Sequence, residues 1–294
     1  MATVDVAALT AKAERLRALH GDRPFVLPNA WDAASAQVLA KAGFPAIATG
    51  SKAVADSLGH ADLQAAPAEE MLAAAGRIIK AVDVPVTVDM EAGYGMSGKD
   101  IVARLLDLGA AGCNVEDTAY PSTDLVDVAT QAALIADMRA AADEAGVPLW
   151  INARVDVWEP GAYPKDTPAQ EMTDEAVRRG RAYLEAGADS VFPIFVAEEE
   201  TIAALVERIP GPVNIMYLPQ TPSLDRLAEL GVARVSFGPG LHMATLMVLE
   251  GLAGKIRSGE DPYAEFLARH QAAQEAQQAE QAEQAEQAEQ DEQA

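Results

Sequence analysis

Residues 86–95 read VTVDMEAGYG. The first three are the β-branched residues Val-Thr-Val, which is typical of a strand, and the chain then passes directly into Asp89, Glu91 and a glycine-rich turn. A buried strand gains nothing from ending in two carboxylates unless a positive charge lies beside them. The stretch therefore predicts a strand whose carboxyl end meets a cation.

The same strand type recurs along the chain and alternates with helical patterns. Strands are predicted at 25–28, 46–49, 86–88, 112–115, 149–153, 190–195, 213–217 and 234–237, and helices at 33–42, 67–82, 98–108, 130–145, 174–186, 198–209, 224–230 and 241–256. Eight β-then-α units in order predict an α/β fold, a (β/α)8 TIM barrel. An open doubly wound sheet is the alternative, but it calls for a glycine-rich phosphate turn after its first strand, and PNAWDAAS at 28–35 is not one.

Helix-start signals and composition predict the segment boundaries. Pro67 suits a first helical position, and Ser97, Thr173 and Ser223 are predicted N-caps. We predict an N-terminal helical extension over 1–22, with its helix at 7–20, the catalytic barrel over 23–260 and a connecting segment over 261–270. Residues 271–294 repeat Ala, Glu and Gln with almost no other residue type, and such a tail cannot bury a core.

Composition excludes several classes of partner. The chain has 294 residues, with 45 acids against 22 bases and a formal net charge of −23. This charge argues against nucleic acid and against an anionic membrane surface. Its one cysteine, Cys113, allows no intramolecular disulfide, and neither a signal peptide nor a membrane-spanning apolar run is recognisable. A cytoplasmic location is the expectation.

Active sites of such barrels lie at the carboxyl ends of the strands. There the acids concentrate after the third and fourth strands, as Asp89, Glu91 and Glu116, and Arg154 follows the fifth. Carboxylates without a nearby histidine or cysteine favour Mg²⁺ or Mn²⁺ over zinc. Loop caps and surface ion pairs remain the alternative interpretation of these acids.

Five runs taken together resemble one known superfamily. They are PNAWDAASAQVLAKAGFPAIATGS (28–51), SLGHAD (57–62), VDMEAGYG (88–95), NVEDT (114–118) and NARVD (152–156). In this order they resemble the isocitrate lyase/phosphoenolpyruvate mutase superfamily, and the similarity covers the whole predicted barrel. The resemblance implies a Mg²⁺-dependent enzyme whose ligands are 2-oxo acids, dicarboxylates or their enol forms.

The resemblance also implies roles for particular residues. Asp89 matches a direct Mg²⁺ ligand, Glu91 and Glu116 complete the metal site through water together with Asp62, and Arg154 matches an arginine that stabilises enolate charge. The implied catalytic residues are Arg154, Asp62 and Glu116. The side chains and backbone groups that we expect to contact the substrate are those of Trp31, Gly50, Ser51, Lys52, Asp89, Arg154 and Asn214.

Three departures from the superfamily leave the reaction open. Residues 118–131, TAYPSTDLVDVATQ, lack the Lys-x-Cys-Gly-His loop of the lyases, and Ile194 stands where the lyases carry a glutamate. The Lys-Thr-Asn-Ser loop of the phosphonomutases is also missing. An enolate-forming enzyme that cleaves or decarboxylates a 2-oxo acid is favoured. A phosphonomutase and a weakly active 2-oxo acid binding protein are the alternatives.

The eighth predicted helix contains the apolar run LHMATLMVLEGLAG at 241–254. The resemblance implies that this helix is swapped between subunits, so that the protein is a homo-oligomer, either a dimer or a tetramer. Ordinary packing of the helix on its own barrel is the alternative.

Removal of the Ala/Glu/Gln tail should leave the enzyme intact, because the segment has no apolar face to bury. Truncation after Ala268 is expected to change neither turnover nor the size measured by gel filtration with light scattering. A smaller assembly after truncation would identify the tail as an interaction element.

Overall fold

The computed structural model describes residues 5–21, 24–268, 271–272 and 274. Its helices are α1 (Val6–Ala18), α2 (Ala33–Lys41), α3 (Ser51–Leu58), α4 (Ala68–Lys80), α5 (Gly98–Leu108), α6 (Val128–Glu144), α7 (Ala169–Glu185), α8 (Glu199–Arg208), α9 (Leu224–Glu229) and α10 (Gly240–Ser258). Its strands are β1 (Phe25–Leu27), β2 (Asn29–Ala30), β3 (Ile47–Thr49), β4 (Val86–Asp89), β5 (Gly112–Glu116), β6 (Thr118–Ala119), β7 (Asp124–Leu125), β8 (Trp150–Val155), β9 (Ser190–Pro193), β10 (Asn214–Met216) and β11 (Arg234–Ser236).

The predicted α/β barrel is confirmed by the strand pairing. A six-stranded sheet runs β2-β3-β4-β5-β8-β9, a three-stranded sheet runs β1-β11-β10, and every pairing in both is parallel. A parallel bridge between Val191 and Val213 joins β9 to the β10 side, and the chain continues from β1 through Pro28 into β2. The first predicted strand is thus two short strands, and the ring of eight is closed.

Most predicted elements occur within a few residues of their expected bounds. Ser97 and Ser223 cap α5 and α9 by accepting hydrogen bonds from the backbone three residues on. The prediction for Thr173 was wrong, because α7 begins at Ala169 and the Thr173 hydroxyl donates to the Ala169 carbonyl from inside the helix. Pro67 precedes the first helical residue of α4 by one position.

Helix α3 and the hairpin of strands β6 and β7 were not predicted. Helix α3 follows β3 directly, and its eight residues are fewer than the roughly 11–18 over which a helical pattern can be recognised in a sequence. Strands β6 and β7 form a short antiparallel hairpin in the loop after β5. Both elements lie at the carboxyl side of the barrel, where connections between strands and helices are longest.

Helix α1 packs at the amino-terminal end of the barrel. Leu9, Ala13 and Leu16 are buried in one apolar cluster with Phe25 and Trp150, which begin strands β1 and β8. This cluster closes the end of the barrel opposite to the carboxyl ends of the strands. The open end of the barrel is therefore the carboxyl end.

The chain divides into two compact units, Met1–Met243 and Ala244–Ala294. In the second unit the large apolar side chains of α10 and of the segment after it are exposed, among them Leu246, Met247, Val248, Leu249, Ile256, Phe266 and Leu267. The swapped helix, the oligomer and the predicted domain bounds stay predictions. The predicted tail at 271–294 lies almost wholly outside the described residues. None of the described helices combines the length and apolarity that a bilayer crossing requires.

Helices α5 and α6 approach closely at Gly98. A Cβ atom at this position would lie 2.6 Å from Met138 N and 2.7 Å from Leu134 O of α6. Gly98→Ala is therefore expected to lower the free energy of unfolding by about 1–3 kcal/mol, because backbone atoms cannot move aside as a side chain can. Gly240→Ala is the matched control, since Gly240 also begins a helix but has no atom within 4 Å of the added Cβ. Urea unfolding compares the two variants, and equal stability would contradict the packing.

Candidate active site

The largest group of predicted site residues meets at one cavity at the carboxyl ends of the strands. The cavity has a volume of about 260 Å³. Eight of the ten predicted residues line it: Gly50, Ser51, Lys52, Asp62, Asp89, Glu91, Glu116 and Arg154. The strand-end rule therefore brought together residues that lie more than 100 positions apart in the sequence.

Asp89 ends β4 and is fixed by backbone donors. Its Oδ2 accepts from the backbone N–H of Ser51 at 3.0 Å, and its Oδ1 accepts from the N–H of Glu91 at 3.2 Å. The Thr49 hydroxyl accepts from the N–H of Asp89 at 2.9 Å. Ser51 begins α3, so the carboxylate faces the positive end of that helix. These contacts hold Asp89 in one orientation beside the cavity.

Glu91 adopts a left-handed backbone conformation, with φ of 47°. This conformation is strained for a residue other than glycine. It lets the Glu91 carbonyl accept from the N–H of Glu116 at 2.9 Å, which ties β4 to β5 beyond their ladder. The Glu91 carboxylate accepts from the N–H of Gln64 at 2.7 Å and from the Tyr94 hydroxyl. Burial, with the neighbouring Asp89 charge, raises the Glu91 pKa to about 7.

Glu116 ends β5 and is 1% exposed. Its Oε1 accepts from the Tyr120 hydroxyl, and its Oε2 lies 2.5 Å from Arg154 Nη1, in an ion pair that is not aligned as a hydrogen bond. Burial raises the Glu116 pKa well above its ordinary value, although Arg154 opposes the shift. The site thus holds a second carboxylate that is only partly compensated.

Arg154 on β8 is shared among three carboxylates. It contacts Asp156 through Nε at 2.6 Å and Nη2 at 3.0 Å, Glu159 through Nη2 at 3.2 Å, and Glu116 through Nη1. Burial lowers the pKa of Arg154, but the Asp156 and Glu116 charges outweigh burial and raise it overall. One guanidinium therefore organises the acids of the β5 and β8 ends.

A buried network lies behind this arginine. The Thr118 hydroxyl donates to Asp156 Oδ2 at 2.5 Å, and the N–H of Asp156 donates to Asp117 Oδ1 at 2.9 Å. Asp117 Oδ2 accepts from Arg179 Nη1 at 2.9 Å and from the Tyr183 hydroxyl at 2.7 Å. Asp117 follows Glu116 directly, so its side chain leaves the opposite face of the strand. It supports the site from outside the cavity.

Two predicted substrate contacts do not reach the cavity wall. The Trp31 ring lies against His242, with 5.0 Å between ring centroids, and Trp31 lines a separate cavity beside α2. Asn214 is fully buried below the wall, where its Nδ2 donates to Ser236 Oγ at 3.0 Å. Lys52 lines the cavity, but its ammonium group is paired with Asp56.

Sequence reasoning did not assign five polar residues of the wall to the site: Asn29, Asn114, Tyr120, Glu159 and Ser236. Asn114 and Tyr120 flank Glu116 within the same strand and loop, so their positions were readable once the strand end was placed. Glu159 lies five residues beyond Arg154 in a loop without regular structure, and no spacing rule reaches it. Phe192, Ile194 and Met216 form an apolar cluster that meets the same cavity.

The carboxylates of the cavity suit a hydrated divalent cation better than a cation that is bound only by protein side chains. Within the described residues, no three Asp, Glu, His or Cys side chains are arranged to hold a metal ion directly. Five carboxylates nevertheless line the cavity, those of Asp62, Asp89, Glu91, Glu116 and Glu159. Burial raises the pKa of Asp62, Glu91, Glu116 and Glu159. A cation would stabilise their charged forms. Mg²⁺ keeps several waters and needs few direct carboxylates, so these residues fit it.

Removal of the Arg154 charge should destabilise the folded protein strongly. Arg154→Met would leave the buried carboxylates of Glu116 and Asp156 without their cation, and breaking such a pair costs about 3–5 kcal/mol. Lys52→Met is the control, because the half-exposed Lys52–Asp56 pair should contribute about 0–1 kcal/mol. Urea unfolding at neutral pH measures both variants, and a loss below 1 kcal/mol for Arg154→Met would contradict this assignment.

Comparison with known proteins gives a consistent picture. The family model described as phosphoenolpyruvate phosphomutase matches residues 16–257. An uncharacterized protein of Mycobacterium tuberculosis is 35% identical over 85% of this chain and 93% of its own. The 2,3-dimethylmalate lyase of Eubacterium barkeri is 31% identical over 74% of this chain and 75% of its own.

Among solved structures, one described as "a putative phosphonomutase from Burkholderia cenocepacia J2315" has a TM-score of 0.77 and 40% identity, and the match covers 85% of this chain and 99% of that one. The family match spans the whole barrel, including every strand end that contributes a carboxylate or arginine to the cavity. The chain therefore belongs to the phosphoenolpyruvate phosphomutase family, within the isocitrate lyase/phosphoenolpyruvate mutase superfamily of lyases and phosphonomutases.

Proposed function

We propose that this protein is a Mg²⁺-dependent enzyme that acts on a small 2-oxo acid through an enolate, by carbon–carbon cleavage or decarboxylation. The observation that carries the proposal is the convergence of Asp89, Glu91, Glu116 and Arg154 on one cavity at the carboxyl ends of β4, β5 and β8. The 2,3-dimethylmalate lyase relative supports the lyase side of the proposal.

Asp89 would hold the cation directly, and Glu91, Glu116 and Asp62 would hold its water shell. Mn²⁺ suits the same oxygen ligands. The bound cation would supply positive charge that polarises the keto oxygen of the substrate. Asp89 is suited to this position because two backbone N–H groups fix its carboxylate before any ligand arrives.

The first turn of α3 would bind the substrate carboxylate. Gly50 precedes the helix without a side-chain cap, so the N–H groups that follow Ser51 remain available as donors. A helix N-terminus with free N–H groups favours an anion. Lys52 would add its charge to this end of the cavity if its pair with Asp56 opened.

Arg154 would stabilise the negative charge that develops on the enolate oxygen. To do so it must release one of its carboxylates, and the Glu159 contact, at 3.2 Å, is its longest. Burial raises the Glu159 pKa to about 7, so this carboxylate is protonated more readily than an exposed one. The apolar wall of Phe192, Ile194 and Met216 would exclude water from the reacting carbon.

Decarboxylation asks little of the remaining side chains. The bond to the departing carboxylate breaks, its electron pair enters the enolate, carbon dioxide leaves, and a proton from water later restores the carbon. Cleavage of a hydroxylated substrate needs in addition a base for the hydroxyl and an acid for the departing carbon, each worth about 10²–10⁴-fold in rate. In the loop after β5, Tyr120 brings a hydroxyl group to the cavity wall, but burial raises its pKa above that of free tyrosine.

Divalent metal binding should depend on Asp89. Calorimetry with Mg²⁺ and with Mn²⁺, in the presence of oxalate, is expected to detect binding in the wild type and none in Asp89→Asn. The melting temperature of the metal-free variant should stay close to that of the wild type. Asp107→Asn, at an exposed position of α5, is the control and should bind as the wild type does. Absence of binding in the wild type would refute the metal site.

The substrate panel should favour simple 2-oxo acids. We expect turnover of oxaloacetate, and rates on methylisocitrate and isocitrate lower by several orders of magnitude, because Ile194 replaces an ionisable side chain and the loop after β5 lacks cysteine. Coupled assays for pyruvate and glyoxylate measure these rates with and without Mg²⁺. Rapid methylisocitrate cleavage would show that an unidentified acid is in place.

A phosphonomutase is the second candidate, and the Burkholderia relative of 40% identity favours it. Conversion of phosphonopyruvate, followed by phosphorus NMR, separates this activity from the first. A protein that binds oxalate with Mg²⁺ but turns over no member of the panel would be the weakly active binding protein.

A further inference from the structure

One buried arginine takes no part in the function proposed above. Arg234 lies on β11 and is 1% exposed. Within the described part of the chain it forms no ion pair with a carboxylate, and its Nη1 has no hydrogen-bond partner. Burial lowers its pKa to about 9, which still leaves it charged at neutral pH. An uncompensated buried cation is costly, so its neighbours must explain it.

The two hydrogen-bond partners of Arg234 among the described residues are carboxamides on different strands. Its Nε donates to Asn214 Oδ1 on β10, and its Nη2 donates to Asn114 Oδ1 on β5 at 3.0 Å. A guanidinium has five N–H donors and no acceptor. Both amides must therefore turn their oxygens toward Arg234 and their NH₂ groups away from it, so the arginine fixes the direction of both.

The first chain of hydrogen bonds leads to Ser236. Because Asn214 Oδ1 faces Arg234, its Nδ2 donates to Ser236 Oγ at 3.0 Å. The serine oxygen is thus an acceptor on its buried side, and its hydrogen remains available. Ser236 lines the cavity, and no acceptor in the described residues receives this hydrogen.

The second chain leads to Asn114. Trp150 Nε1 donates to Ser190 Oγ at 2.9 Å, Ser190 donates to Asn152 Oδ1 at 2.5 Å, and Asn152 Nδ2 donates to Asn114 Oδ1 at 2.8 Å. Asn114 Oδ1 therefore receives two donors, one from Asn152 and one from Arg234. Its Nδ2 is the group left to meet the cavity that Asn114 lines.

We propose that Arg234 is a positioning residue that makes the Ser236 hydroxyl and the Asn114 amide donate into the cavity, as a subsite for an oxyanion such as a carboxylate. Asn114 precedes Glu116 by two residues on one strand, and Ser236 follows Arg234 by two. The subsite therefore forms the floor of the cavity, one layer below the acids. The surrounding carboxylates repel an anion at this subsite. The buried positive charge of Arg234 beneath it offsets part of that repulsion.

The inference deepens the proposed function, on which it rests, because it names the chemistry of the ligand group at the floor. A carboxylate oxygen can accept from both donors. A methyl or other apolar group would leave both donors unpaired, which is unfavourable in a buried site. The floor should therefore select substrates with an anionic group at this end over analogues without one.

The experiment measures oxalate binding by calorimetry, with Mg²⁺ present, in the wild type, Arg234→Met, Ser236→Ala and the double variant. Each single variant should weaken oxalate binding by about tenfold or more, the usual effect of losing a hydrogen bond to a charged group. The double variant should bind no more than about twofold more weakly than Arg234→Met, because both changes interrupt one chain of contacts. For any substrate turned over, Ser236→Ala should raise KM and leave kcat within about threefold.

Thr87→Val is the matched control, since Thr87 is also a buried polar residue of the barrel and its hydroxyl has no partner. It should bind oxalate as the wild type does. If Arg234→Met fails to fold, Ser236→Ala removes only the cavity hydroxyl and decides the question. Unchanged oxalate binding in Ser236→Ala, or fully additive losses in the double variant, would overturn the inference and leave the proposed function standing. A wild-type protein that binds neither oxalate nor pyruvate would overturn both.

Discussion

The contact between Arg154 and three carboxylates is the constraint on which the rest of this site depends. Glu116, Asp156 and Glu159 come from the ends of two neighbouring strands and the loop beyond, and each carries a charge that burial disfavours. One guanidinium offsets part of that charge and sets where the three groups lie. Asp89 and Glu91 approach from β4 without a basic partner among the described ion pairs. The remaining negative charge gives the cavity its capacity for a cation.

Two further arginines, Arg179 and Arg234, have a structural and a functional role respectively. Arg179 meets Asp117 and Glu175, so its charge is satisfied behind the barrel wall. Arg234 donates its hydrogen bonds to two neutral amides inside the barrel, and no described carboxylate forms an ion pair with it. The first arrangement stabilises the position of Asp117, which in turn holds the backbone of Asp156. The second arrangement is costly for the folded chain alone, and an anionic ligand at the cavity floor would offset that cost.

The barrel and most of its site were predictable because strands and helices leave strong periodic patterns. Asp89, Glu91 and Glu116 could be placed together from the strand-end rule alone, without any long-range contact being known. Asn214 shows the limit of that rule. Asn214 is the first of the three residues of β10. The sequence does not reveal that its side chain lies one layer below the cavity, where it donates to Ser236. Glu159 lies in a loop, where position is set by tertiary contacts and not by periodicity.

Most of the unfavourable features of the molecule are gathered at one end of the barrel. The strained backbone of Glu91 and the buried acids Glu91 and Glu116, with their raised pKa values, lie at the carboxyl ends of the strands, whereas the unpaired Arg234 Nη1 belongs to the first residue of β11, deeper in the barrel. At the opposite end, α1 closes the barrel with apolar contacts to Phe25 and Trp150. Folding free energy is marginal in any domain, so a site with this much uncompensated charge needs a well-packed support. The apolar amino-terminal end is that support, and the charged carboxyl end is free to take the arrangement that a metal and an anion require.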